Sequence, residues 1–284
     1  MPCRNSKPRE WECQPRTVRC PIPSIRKLLK RLIIVGLLSV NSIWLIGLVP
    51  VTELGVTGPF VGISYHFISS LSSLMLMAIL YPRALKTLKF QIDRPRLKVM
   101  FFICAFLLLP VLMHTNIYAF SATNILIGLL FAFSIGLDEE LFSRGLVLEV
   151  LRPIGTIKAI VFSSLHFGML HLSNYYAGQS FGITVAQIIG ASAFGFLCGS
   201  ILVYTKSIWI PVLIHSLTDL PMVFRSASEF KQRATGSPDW IGTLTISSIY
   251  LGIGCIVLML SSPTGSSRLL KLGTKAGLVS VSRE

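Results

Sequence analysis

Charge is what this sequence has least of. Only 13% of its 284 residues are Asp, Glu, Lys or Arg, and just twelve are acidic. A soluble domain carries about 25% charged residues. Set beside 52% hydrophobic residues, that shortage excludes an ordinary water-soluble enzyme. The six cysteines (Cys3, Cys13, Cys20, Cys104, Cys198 and Cys255) match no zinc or redox spacing and read as packing residues and free thiols. H-E-x-x-H is missing, so nothing local demands zinc, and no repeat at a solenoid period occurs.

What is present is a series of long apolar runs. They predict an all-α polytopic membrane protein with about eight transmembrane helices, at 32–49, 60–80, 99–118, 124–150, 159–172, 183–204, 207–224 and 241–260. Pro110 is expected to kink the third. The membrane domain then covers 32–262, between a basic tail at 1–31 and a second at 263–284.

The net charge of +14 sits largely in those tails and in the 82–98 loop. It reads as topology information and contact with anionic lipid, so the bilayer is a partner and nucleic acid is not. Eight crossings place both termini on one side, with the 82–98 loop, the 152–158 turn and the turn at Lys206. The positive-inside rule makes that side cytoplasmic and the protein a multi-pass component of the cell membrane. The mixed-charge 225–240 loop falls opposite.

Against this background the polar residues inside the runs stand out. A charge at the centre of a membrane helix costs about 2.5–3.5 kcal/mol on the insertion scale, yet Asp138, Glu139 and Glu140 follow one another in the fourth run. Three runs carry pairs at i,i+4, sharing a helix face: Glu140 with Arg144, Phe162 with His166, and His215 with Asp219. At about 1.5 Å of rise per residue, His166 and His215 each lie roughly 12 Å in from a basic turn, and the acids roughly 18 Å. Ionisable groups at one depth on separate helices point to a site. Singly, each has a structural reading, and His66, His114 and His171 are assigned to structure. Gly195 and Gly199 form a G-x-x-x-G read as tight helix packing.

Taken in order, Glu139-Glu140-x-x-x-Arg144, Phe162-x-x-x-His166 and His215-x-x-x-Asp219 resemble the three motifs of the CPBP intramembrane proteases. That family includes the CAAX prenyl endopeptidases and bacterial proteins linked to bacteriocin processing and self-immunity. The resemblance covers about 124–224. The third motif ends in Asn in the prenyl endopeptidases and in Asp219 here.

The resemblance implies an endopeptidase acting on a membrane-associated peptide or protein. Glu139 and His166 would activate water, His215 and Asp219 would stabilise the oxyanion or bind metal, and Glu140 with Arg144 would shape the first-motif helix. His166, His215 and a carboxylate from Asp219 or Glu139 would suit zinc with an open position for water. Without metal, Asp219 is protonated or orients His215. The alternatives are a non-proteolytic bacteriocin-immunity or membrane-partner protein on the same scaffold, and a proton-coupled transporter. Against transport, the sequence shows no pair of interrupted spans in matching halves.

Overall fold

A computed structural model describes residues 29–39, 52, 56–88, 94–114, 120–225 and 227–262. Most of both basic tails, residues 40–49 of the first run and 115–118 of the third lie outside the described residues.

Among the described residues every regular element is helical. Helix α1 covers residues 29–39. It is followed by α2 (Pro59–Leu80), α3 (Arg94–His114) and α4 (Ala122–Glu140). A π-helical segment, Leu141–Val147, joins α4 to the short α5 (Leu148–Leu151). Then come α6 (Thr156–Leu170), α7 (Ser173–Tyr176), α8 (Phe181–Thr205), α9 (Trp209–Thr218), α10 (Leu220–Val223), α11 (Ala227–Thr235) and α12 (Trp240–Ser261).

Local chemistry explains most boundaries. Gly58, at φ 61°, leads into Pro59 at the start of α2. Ser121, Ser180 and Asp239 cap α4, α8 and α12 by accepting from the backbone N–H groups of Asn124, Ile183 and Gly242. Gly155, at φ 108°, turns the chain into α6; a side chain there would be strained.

Four expectations are corrected. The seventh run is two helices, because Pro221 has no N–H to offer the Leu217 carbonyl and α9 stops at Thr218. The 225–240 loop contains α11. The basic 82–98 loop ends early, since α3 begins at Arg94 and continues helical through Pro110. The polar 173–182 connection contains α7.

Among the described residues, three helices are long and apolar enough to cross a membrane: α2, α8 and α12. The others are shorter, as α6 and α9 are, or carry charge at an end, as α3 does with Arg94, Arg96 and Lys98 and α4 with its three acids. Large apolar side chains face outward, among them Ile241 (83% exposed) and Phe102 (71%). Such a surface suits lipid rather than water.

Helix α8 is the inner post, packed along both α6 and α12. Small residues permit this: a Cβ on Gly199 would come within 3.0 Å of Ile160, and one on Gly254 within 2.8 Å of Phe196. Helix α4 packs between α2 and α9. At Gly136 a Cβ would strike the Ser216 hydroxyl and lie 3.0 Å from the Val212 carbonyl. That close approach carries the acids of α4 to the histidine of α9. Of the cysteines, Cys104, Cys198 and Cys255 are free thiols, with Cys198 buried.

Candidate active site

The acidic stretch ends α4 where the helix widens. Leu148 donates its backbone N–H to the Ser143 carbonyl, an i→i−5 bond, so the turn after Glu140 holds an extra residue. All seven residues of the wide turn are buried. The two neighbouring glutamates precede it on α4, where successive side chains point about 100° apart.

Glu140 points inward. It is fully buried, and Arg144, 1% exposed, brings Nη1 to 3.2 Å from its Oε1. The Arg144 guanidinium also lies 4.4 Å from the Phe167 ring centroid, a favourable cation–π placement. It lies against bare backbone: a Cβ on Gly195 would be 2.9 Å from Nη2. The G-x-x-x-G thus has two uses, since Gly195 makes room for Arg144 and Gly199 for Ile160.

His215, 5% exposed, is where the motifs meet. Its Nδ1 lies 2.8 Å from Glu140 Oε1. A carboxylate only accepts, so Nδ1–H donates. On the other side of the ring, Nε2 is 3.5 Å from Glu139 Oε2 and 3.7 Å from Asp219 Oδ2. Glu139 is more open than Glu140, with 31% of its side chain exposed. Aromatic edges from Phe167 and Phe194 enclose the imidazole, at 5.8 and 5.1 Å between centroids.

Five of the six expected residues are therefore linked: Glu139, Glu140, Arg144, His215 and Asp219. His166 stands apart. Its Nε2 is 2.7 Å from the Ser39 hydroxyl of α1, and its ring lies beside Phe142. Among the described residues no hydrogen bond or ion pair joins it to Glu139 or His215.

This bears on the expected zinc set of His166, His215 and Asp219. Among the described residues no three His, Cys, Asp or Glu side chains are grouped to hold a metal ion. Each histidine has one ring nitrogen engaged, His166 Nε2 by Ser39 and His215 Nδ1 by Glu140. As placed, His166, His215 and Asp219 are not gathered round one point.

His66, assigned to structure from the sequence, lies beside the site through Asp138. His66 Nδ1 on α2 lies 2.9 Å from Asp138 Oδ2. Asp138 also takes a hydrogen bond from Ser69. The signal was present in α2, where His66, Ser69, Ser70, Ser73 and Met77 recur at three- and four-residue spacing, an unusually polar stripe for an apolar helix. His171 donates from Nδ1 to the Phe167 carbonyl, 3.1 Å away on α6.

Residues 121–221 match a family model described as Type II CAAX prenyl endopeptidase Rce1-like. No curated protein and no solved structure matches the chain. The matched stretch runs from the cap of α4 to Pro221 and holds all six motif residues. Residues 121–221 are a domain of the Rce1-like type II CAAX prenyl endopeptidase family, the CPBP family to which the three motifs pointed.

Proposed function

We propose that the protein is an intramembrane endopeptidase that hydrolyses a membrane-associated peptide. One observation carries the reading. A general-base candidate, Glu139, lies 3.5 Å from a buried imidazole nitrogen whose other nitrogen is fixed by a second carboxylate. Catalytic acid–base work needs a positioned carboxylate and a partner held in one orientation.

The steps follow from the two glutamates. Glu140 is neutralised by Arg144 and anchors His215 through Nδ1, so it positions rather than reacts. Glu139, partly open to the site's mouth, takes a proton from water as the oxygen attacks the scissile carbonyl. His215 Nε2, bearing a proton, donates to the oxyanion, and Glu139 returns its proton to the leaving amine. Asp219 holds the ring from the Nε2 side, which suits Asp as well as Asn. His166 holds a second water contact through its remaining nitrogen.

The same reading covers topology. It keeps eight crossings, a protease-like domain over 32–262 and both termini in the cytoplasm; the outward apolar faces of α2, α3 and α12 support a membrane location. The site then opens from the cytoplasmic half of the cell membrane.

The test uses purified protein in liposomes with a pool of membrane peptides. Wild type generates new peptide termini, whereas Glu139→Gln, His166→Ala and His215→Ala do not. Equal cleavage by all three variants overturns the reading.

A further inference from the structure

Helix α1 lies outside the matched domain, yet it is fastened to the site at both ends. At one end Arg31 donates from Nη1 to the Val150 carbonyl. At the other Ser39 meets His166. Between them Val35 (3% exposed) and Leu38 (8%) enter the same core as Phe142, Val147 and Val150. About eight residues, or roughly 12 Å of helix, separate the two anchors.

The Ser39 hydroxyl makes two contacts, at 2.8 Å to the Val35 carbonyl and at 2.7 Å to His166 Nε2. A hydroxyl has one proton to give, and a carbonyl can only accept. Both contacts are hydrogen bonds only if the Ser39 proton goes to Val35 and the hydroxyl oxygen accepts from His166 Nε2–H. The remaining nitrogen of a neutral imidazole is then an unprotonated acceptor. His166 Nδ1 is buried and, among the described residues, has no hydrogen-bond partner. A buried acceptor left bare costs free energy unless something fills it.

We propose that Ser39 is a positioning residue that fixes the tautomer of His166, placing the proton on Nε2 and leaving Nδ1 as the acceptor nitrogen. This rests on the role given to His166 above. The matched domain supplies the histidine, and the segment preceding it selects the histidine's state. The docking of α1 and the readiness of the site are thereby one equilibrium, because releasing α1 releases the tautomer.

Nitrogen-15 NMR of the full-length, histidine-labelled protein in lipid tests this, with His166→Asn assigning the signals. Wild type is expected to show Nε2–H and an unprotonated Nδ1 at His166. Ser39→Ala is expected to give mixed tautomers and a kcat about tenfold lower at unchanged KM, a loss on the scale of one hydrogen bond. Ser39→Thr, which keeps the hydroxyl, restores both. A wild-type spectrum with Nδ1–H, or with both nitrogens protonated, overturns the inference even if Ser39→Ala fails to fold. So does a Ser39→Ala spectrum identical to wild type. The spectrum needs no turnover, so failure of the peptidase reading would appear separately, as inactive wild type with the Nε2–H spectrum.

Discussion

Glu140 on α4 and His215 on α9, 75 residues apart in the chain, share a 2.8 Å hydrogen bond in a region closed to solvent. Arg144 completes the group from the next turn, 3.2 Å from the same carboxylate oxygen. A buried positive charge with its partner removed is far costlier than the pair. Glu140→Ala should therefore destabilise the protein by about 3–5 kcal/mol, read as a lower denaturation midpoint in micelles. Arg144→Lys should fail to restore stability fully, since an ammonium cannot reproduce the planar stack on Phe167. An unchanged midpoint in Glu140→Ala would contradict the pairing.

Two glycines on one helix make a sharper comparison. Nothing lies within 4 Å of a Cβ added to Gly190, whereas at Gly195 the Arg144 guanidinium is 2.9 Å away and the Ser164 backbone 3.2 Å. Gly190→Ala should be neutral or stabilising by up to about 1 kcal/mol, the ordinary helix-propensity gain. Gly195→Ala should cost about 1–3 kcal/mol through overpacking and should lower activity by displacing Arg144. Thermal melts of the two variants side by side check this, and equal effects would refute the close contact.

Much of the site was legible because the motif residues are polar in an apolar sequence. Burying charge demands a partner, and i,i+4 spacing already placed Arg144 beside Glu140 and Asp219 beside His215. What sequence spacing does not encode is partnership across helices. That Glu140 rather than Glu139 takes the 2.8 Å bond to His215 Nδ1 depends on how α4 packs against α9, not on local propensity. His66 looked peripheral because its run lacks acids; its partner Asp138 is 72 residues away. The all-helical class was legible from hydropathy, but the break at Asp219 needed Pro221 to be given weight over the apolar run.

The His66–Asp138 contact, at 2.9 Å with 26% and 11% of the two side chains exposed, yields a third expectation. A double-mutant cycle of His66→Ala and Asp138→Asn should show a coupling of about 0.5–1.5 kcal/mol in stability. Independent, additive effects would mean that α2 does not hold α4 through this pair.

The most direct measurement is mass spectrometry of membrane peptides from cells carrying wild-type protein or Glu139→Gln. Gln keeps the size of Glu139 but cannot take a proton from water. Peptide termini that appear with wild type should vanish with Glu139→Gln while Asp138→Asn retains them. Identical peptide sets from wild type and Glu139→Gln would contradict a hydrolytic role for the acidic stretch.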